Sequence, residues 1–320
     1  MQSYISKAYE IWSRAVTGGR RKWRWIGYGF TLFAFLYLAI LIIYSREQIQ
    51  QFPWKVYWLP FLLSLGIYPL SLLVQYTVWS RLVAHHHRIS WHDLAIYLRV
   101  LLIRRLPGGV WHWVDRTAMY TGTTEVSGRV VMKANFLEWS LLLLMAGALG
   151  VAGWQDISIW IRVLLSGALL CLAIYLAYSW QPKQRSKLIR ILESVMWLAL
   201  YTLAWMAGGL ILYWFSAATQ AGLADPGSYQ DVSFLQCVWT WAISGGSSQL
   251  MVFIPAGLGI REITLTWLLK DYLPISSILL VSILIRLTYA IADVLWGSLG
   301  MALSISLFKD DPMEKPAIEH

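Results

Sequence analysis

Long runs of apolar residues, nearly or wholly without charge, dominate this sequence. The longest of them cover residues 25–44, 57–78, 134–153, 163–180, 194–218 and 275–307. A helix needs about 20 predominantly apolar residues to cross the hydrocarbon core of a membrane. We therefore predict an all-α integral membrane protein with about six transmembrane helices.

The overall composition supports a membrane protein. Apolar residues make up 58% of the chain and charged residues only 13%, whereas soluble domains carry about 45–50% and about 25%. The net charge of +9 comes from basic residues that lie between apolar runs. This distribution favours membrane topology and lipid contact, and we predict no nucleic-acid partner. Cys171 and Cys237 both lie inside apolar runs, which argues against a disulfide-stapled secreted protein.

The positions of Lys and Arg predict the orientation, because cytoplasmic loops carry an excess of both. If the two interrupted segments described below each enter and leave by one side, residues 1–24, 79–129, 181–193 and 308–320 share a face. These stretches hold 19 of the 26 basic residues, while the opposite face holds four. We predict a cell inner (cytoplasmic) membrane protein with both termini in the cytoplasm. If one of these segments spans the membrane, the C-terminus changes side.

Three regions follow from this topology. Residues 1–24 form a basic cytoplasmic segment, residues 25–308 form the polytopic transmembrane domain, and residues 309–320 form a polar tail. The apolar run at 25–44 has no small-residue cleavage site after it, which is typical of a retained anchor and not of a signal peptide.

Two segments are interrupted by helix-breaking residues. Short helices predicted at about 94–106 and 110–120 flank Pro107-Gly108-Gly109. The uncharged run at 232–260 is interrupted at 245–248 (GGSS) and again at 255–259 (PAGLG), before a short helix at about 262–270. Broken helices occur at membrane depth only where protein or water satisfies the freed backbone groups.

These interruptions indicate an inverted repeat. One lies in each half of the chain, and under the topology above they enter from opposite sides. Such a pair of broken or re-entrant hairpins is typical of transporters built from inverted repeats. The alternative is that both are ordinary interhelical loops at the membrane surface.

Charged residues cluster near the interruptions, although each costs about 2.5–3.5 kcal/mol at a helix centre. The arginines are Arg104, Arg105, Arg116, Arg261 and Arg286, and the acidic residues are Glu138, Glu262 and Asp293. Guanidinium groups bind phosphate oxygens in a bidentate manner, so we expect the arginines to meet a phosphate. The carboxylates would balance them or bind a cationic group.

A structural role remains open for these charges. Arg261 with Glu262, and Arg286 with Asp293, could form ion pairs that hold helices together, and Arg104 and Arg105 could extend to the cytoplasmic surface.

Residues 253–262 (FIPAGLGIRE) are similar to the P-G-G-L-G-V-R-E signature of the lysylphosphatidylglycerol synthase transmembrane-region family, which is flippase-like. Residues 105–111 (RLPGGVW), followed by Arg116, resemble the family's other marker, and Glu138 fits an acidic position of the family. The resemblance covers about residues 20–308 in segment order. Ala256 stands where the family has glycine.

The resemblance implies lipid handling, because members of this family move aminoacylated phosphatidylglycerol to the outer leaflet. The short tail after Lys309 leads us to expect no aminoacyl-transferase domain, so translocation is implied here and lipid synthesis is not. The predicted substrate-binding residues are Arg104, Arg105, Pro107, Gly108, Gly109, Trp111, Arg116, Glu138, Pro255, Gly257, Gly259, Arg261, Glu262, Arg286 and Asp293.

Other motifs predict no catalytic, metal or cofactor site. Residues 85–87 (HHH) have no carboxylate or cysteine at ligand spacing, and no Walker loop, dinucleotide fingerprint or nucleophile elbow is present. Transport would therefore be passive or coupled to an ion gradient. Trp111 and Trp113, beside the first interruption, are candidates for lining a cavity.

We therefore predict a transporter and not an enzyme: a lipid translocase for an anionic phospholipid, an aminoacyl-phospholipid or a polyprenyl-linked glycolipid. Its predicted partners are the membrane lipid itself and a glycosyltransferase or lipid synthase. The alternative function is a non-transporting accessory subunit that docks such an enzyme. A membrane-embedded transferase with Glu138 or Asp293 as base is disfavoured, because the sequence offers no convergent histidine or carboxylate pair.

Overall fold

The computed structural model describes residues 54–84, 89–104, 111–124, 126–223, 229–250 and 259–309. Helices contain 86% of these residues, and none of them lies in a strand. The prediction of an all-α protein is therefore confirmed for this part of the chain.

The α-helices of the described residues are α1 Trp58–Val83, α2 Trp91–Arg99, α3 Trp111–Thr123, α4 Gly128–Gly153, α5 Ile159–Trp180, α6 Lys187–Ala221, α7 Phe234–Leu250, α8 Ile260–Leu269 and α9 Ile275–Lys309. Short 3-10 helices precede α1 at Trp54–Tyr57 and follow α2 at Val100–Leu102. Ser158 and Ser186 cap the N-termini of α5 and α6, where their side chains accept backbone N–H groups.

Five of these helices, α1, α4, α5, α6 and α9, are long and apolar enough to cross a membrane. They coincide with the five predicted spans that fall within the described residues. The sixth, at 25–44, lies outside them, so the total number of spans stays a prediction. By length and composition the chain is a multi-pass membrane protein.

Helices α2 and α3 form a hairpin whose two outer ends meet. The Tyr120 hydroxyl near the end of α3 donates to Asp93 Oδ1 near the start of α2 at 2.6 Å. His92 Nε2 and Thr123 Oγ1 make a second contact at 3.0 Å. The chain therefore enters and leaves this hairpin at the same end of the helical bundle.

Helices α7 and α8 form a hairpin of the same kind. The backbone N–H of Gln230, just before α7, donates to the carbonyl of Asp271, just after α8, at 3.2 Å. The Gln220 side chain donates to the carbonyls of both Gln230 and Tyr272. This hairpin also begins and ends at one end of the bundle.

The two hairpins start from opposite ends of the bundle. Arg81 at the end of α1 and Arg185 before α6 both contact Glu193, at 3.5 and 2.6 Å, and α2 follows α1 directly. At the other end, the hydroxyl groups of Tyr57 and Thr219 lie 2.9 Å apart. The end of α1 and the start of α6 therefore meet at one end of the bundle.

Each hairpin packs against the span that follows the other hairpin. Helix α2 contacts α9, helix α7 contacts α4, and α1 contacts α6. Glycine makes these approaches possible, because a Cβ added at Gly300 would lie 2.5 Å from the backbone nitrogen of Arg99. Small residues allow such close contacts between membrane helices.

The predicted interruption at residues 245–248 is wrong, because α7 continues through these residues. Gly245 and Gly246 instead let α7 approach Trp205 and Ala146, which a Cβ at either position would meet within 3.0 Å. The hydroxyl groups of Ser247 and Ser248 donate to carbonyls three residues earlier in the helix. The small residues therefore serve packing.

We expect Gly300→Ala to destabilise the bundle by about 1–3 kcal/mol, the usual effect of overpacking, because the added methyl group meets the backbone of α2. Gly167→Ala is the matched control, since a Cβ at Gly167 meets nothing within 4 Å. Thermal unfolding in detergent can be followed through reaction of the buried Cys237 thiol with a fluorescent reagent, in a Cys171→Ser background that removes the exposed thiol. Equal unfolding midpoints for both variants would contradict this packing.

Candidate functional site

A cavity of about 270 Å³, called here the central cavity, lies between the helices. Every α-helix described above except α5 contributes to its walls. The polar and charged side chains that line it are Ser71, Gln75, Arg104, His112, Arg116, Glu138, Ser248, Gln249 and Arg261, together with Tyr68, Tyr97 and Tyr289. A polar cavity of this kind inside an apolar bundle is the natural candidate for a binding site.

Arg116 and Glu138 form a buried ion pair on one wall of the central cavity. Arg116 Nη1 donates to Glu138 Oε2 at 2.8 Å and to Asn135 Oδ1 at 2.9 Å. The Tyr97 hydroxyl donates to the other oxygen of Glu138 at 3.2 Å. The guanidinium also lies 4.5 and 4.7 Å from the ring centroids of Tyr97 and Trp79. Charge pairing and cation–π contacts thus fix α3 against α4, α2 and α1.

A second ion pair joins α8 to α9. Arg286 Nε lies 2.6 Å from Glu262 Oε1, which also accepts from the Ser282 hydroxyl at 3.1 Å. Glu262 Oε2 accepts the backbone N–H of Gly259 at 2.8 Å, so the same carboxylate caps the start of α8. Gly259 has φ +83°, a conformation that favours glycine. The acidic partner of Arg286 in this pair comes from α8.

Arg104 lies near two carboxylates after the 3-10 turn that follows α2. It interacts electrostatically with Asp293 of α9 and Glu138 of α4. Asp293 is 2% exposed and accepts a short hydrogen bond from the Tyr68 hydroxyl of α1. These contacts connect α1, α4 and α9 around Arg104.

Arg261, in the first turn of α8, lines the central cavity opposite a hydroxyl group and an aromatic ring. Its Nη2 donates to Ser248 Oγ at 3.2 Å, and its guanidinium carbon lies 4.8 Å from the ring centroid of Trp241. Both partners belong to α7, so this arginine holds the two helices of the second hairpin together at the cavity wall.

The central cavity is positively charged. Among the described lining residues, Arg104, Arg116 and Arg261 face the single carboxylate of Glu138. The charged lining residues therefore carry an excess of positive charge, which Asp293 beside Arg104 offsets in part, and the remaining positive charge favours anion binding.

The structure brings four of the nine described predicted site residues together at the central cavity. Arg104, Arg116, Glu138 and Arg261 line the central cavity. The remaining predicted residues with described side chains are Glu262, Arg286 and Asp293, buried or nearly buried, Gly259 at the start of α8, and Trp111, half-buried at the start of α3. Arg105, Pro107, Gly108, Gly109, Pro255 and Gly257 lie outside the described residues.

Several lining residues were not predicted from the sequence. The main ones are Tyr68, Gln75, Tyr97, His112, Trp139, Trp205, Trp241, Gln249 and Tyr289. Polar or aromatic residues in the middle of an apolar run are the signal that would identify them. Trp113, flagged beside the first interruption, does line the cavity.

Comparisons of the chain with protein-family models, with curated proteins and with solved structures gave no match.

We expect Glu138→Leu to destabilise the protein by about 3–5 kcal/mol, because it leaves Arg116 buried without its carboxylate. The double variant Arg116→Met/Glu138→Leu removes both charges and should recover most of the lost stability. The Cys237 unfolding assay compares the three proteins. A double variant as unstable as Glu138→Leu would mean that lost packing, and not the unpaired charge, causes the effect.

Proposed function

We propose that this protein is a lipid translocase that moves an anionic headgroup between the two leaflets of the membrane. The candidate lipids are an anionic phospholipid, an aminoacyl-phospholipid and a polyprenyl-linked glycolipid. The observation that carries the proposal is the central cavity, in which three arginines line a polar space inside a bundle of apolar helices. Such a space can receive a phosphate while the acyl chains stay in the surrounding lipid.

The packing of the helices supports an inverted repeat of two halves. In this arrangement α1, the α2–α3 hairpin and α4 correspond to α6, the α7–α8 hairpin and α9, and the hairpins start from opposite ends of the bundle. Each hairpin packs on the final span of the other half, and α1 packs on α6. The predicted span at 25–44 would then correspond to α5.

The two ion pairs fit the same correspondence. Arg116–Glu138 joins α3 to α4, and Glu262–Arg286 joins α8 to α9. Glu138 and Arg286 both lie roughly three turns into their helices. The polarity is reversed, since the first hairpin carries the arginine and the second carries the glutamate.

In the proposed mechanism, the arginines replace water around the phosphate, and the neighbouring hydroxyl and indole groups position the rest of the headgroup. Rocking of one half against the other opens the central cavity to one leaflet and then to the other. The resemblance to the lysylphosphatidylglycerol synthase transmembrane-region family implies the same kind of lipid handling.

We place the protein in the cell inner membrane with its N-terminus in the cytoplasm. The end of the bundle that carries Arg81, Arg185 and Arg190 is the more basic end by sequence, and the positive-inside rule assigns such an end to the cytoplasm. The α2–α3 hairpin then enters from the cytoplasm and the α7–α8 hairpin from the outer side.

The test is a leaflet-accessibility assay in proteoliposomes with labelled phosphatidylglycerol, its lysyl derivative and a polyprenyl-phosphate lipid. We expect Arg261→Ala to lower the rate of translocation at least tenfold, because the phosphate loses a guanidinium partner. Lys270→Ala is the control, because Lys270 directly follows the C-terminal end of α8, where it is exposed, whereas Arg261 lies in the first turn of the helix.

Flipping of one lipid that is lost in Arg261→Ala and kept in Lys270→Ala would support the assignment. Unchanged flipping in Arg261→Ala would contradict the role of this cavity. No flipping of any lipid by well-folded protein would favour the accessory-subunit function, which co-purification of a glycosyltransferase or lipid synthase would test.

A further inference from the structure

The charge of the central cavity discriminates among the three candidate headgroups. The only carboxylate among its described lining residues, Glu138, already accepts hydrogen bonds from Arg116 and Tyr97. Asp293, the other carboxylate near Arg104, already accepts a hydrogen bond from Tyr68, so an ammonium group would meet Arg104 and Arg261 while both nearby carboxylates have other partners. A lysyl-phosphatidylglycerol headgroup carries two ammonium groups and one phosphate, so it would add positive charge to a positive site.

Two polar side chains of the central cavity can accept hydrogen bonds from a ligand that is rich in hydroxyl groups. His112 Nδ1 and Gln249 Oε1 line the cavity, are buried, and accept no hydrogen bond from the described residues. A buried polar atom without a partner costs about 1–3 kcal/mol. Hydroxyl groups of a ligand can donate to the amide oxygen of Gln249 and to the ring nitrogen of His112.

Four indole rings give the cavity flat apolar walls between these polar groups. They belong to Trp113, Trp139, Trp205 and Trp241. The rings of Trp113 and Trp139 stand edge to face, with their centroids 6.2 Å apart. The C–H face of a sugar ring packs on the electron-rich face of an aromatic ring, and its hydroxyl groups then point sideways toward polar neighbours.

The size of the cavity limits what it can hold. Its volume of about 270 Å³ is just below the range of about 300–1,000 Å³ that is typical of small-molecule sites. A phosphate with one sugar ring fits this scale.

We propose that the central cavity recognises a glycosyl phosphate, in which a phosphate is joined to a neutral sugar, and selects it over aminoacyl headgroups. Arg261 and Arg104 bind the phosphate, the indole rings hold the sugar, and Gln249 and His112 accept its hydroxyl groups. This inference rests on the proposed function, because it names the headgroup that the same cavity moves.

The experiment measures binding to the full chain in nanodiscs of neutral phosphatidylcholine. The probes are a polyprenyl phosphohexose, the bare polyprenyl phosphate, phosphatidylglycerol, lysyl-phosphatidylglycerol and water-soluble hexose 1-phosphate. We expect the phosphohexose lipid to bind at least tenfold more tightly than lysyl-phosphatidylglycerol. If hexose 1-phosphate binds as tightly as the polyprenyl phosphohexose, the cavity recognises a glycosyl phosphate but the ligand is not a lipid.

Two variants test the role of the hydroxyl groups. Gln249→Leu should weaken binding of the phosphohexose lipid about three- to tenfold, the effect of one lost hydrogen bond, and leave the bare polyprenyl phosphate unchanged. His112→Phe keeps a ring but removes both nitrogens, and the same selective loss is expected. The unfolding midpoint of each variant checks that it is folded.

Lysyl-phosphatidylglycerol binding as tightly as the phosphohexose lipid would overturn the inference, as would an equal loss for all probes in both folded variants. Comparison with the proteoliposome assay separates the two proposals. Selective binding of the phosphohexose lipid without translocation would contradict the translocase proposal and support recognition of a glycosyl phosphate. Translocation of lipids without preference for the phosphohexose keeps the translocase and overturns this inference.

Discussion

The guanidinium of Arg116 and the carboxylate of Glu138 meet at 2.8 Å, and those of Arg286 and Glu262 at 2.6 Å, both inside the helical bundle. A buried charge without a partner costs several kcal/mol, so these contacts require each short helix to sit against the span that follows it. Helices α3 and α8 are only 13 and 10 residues long. The two ion pairs, together with the buried leucines of α8, hold these helices at the walls of the central cavity.

The need for a buried charge to have partners also explains how the protein tolerates charged groups in the central cavity. Arg116 gains two aromatic faces in addition to Glu138, and Arg261 gains an indole and a hydroxyl. Aromatic rings stabilise a cation without neutralising it. The arginines are therefore held in place by groups that leave the cavity with a net positive charge, which suits an anionic ligand that comes and goes.

Hydropathy and charge in the sequence predicted much of the helical architecture, because a membrane-spanning helix needs an apolar run of a minimum length. The apolar runs predicted the five described spans, and the helix-breaking residues between them predicted the two short-helix hairpins. The charges near these breaks predicted Arg116, Glu138 and Arg261 as lining residues. The partner of Glu262 did not follow, since sequence spacing relates residues on one helix and Arg286 lies on another. Nor did the continuity of α7 through residues 245–248, because glycine both breaks helices and lets them pack closely. Of the lining tryptophans, Trp139, Trp205 and Trp241 were not predicted, because the sequence alone does not tell which of the 20 tryptophans face a cavity.

Helices α6 and α9 contain 35 residues each. At about 1.5 Å per residue, each is roughly 52 Å long, against a hydrocarbon core of about 30 Å. Even a tilt of about 40°, the upper end of the usual range, leaves roughly 40 Å along the membrane normal. Both helices must therefore reach the headgroup layers and will tilt further in thinner bilayers. Helix α2 packs on α9 through Gly300. A change in bilayer thickness that tilts α9 will therefore also move α2, and with it the depth of the central cavity in the membrane.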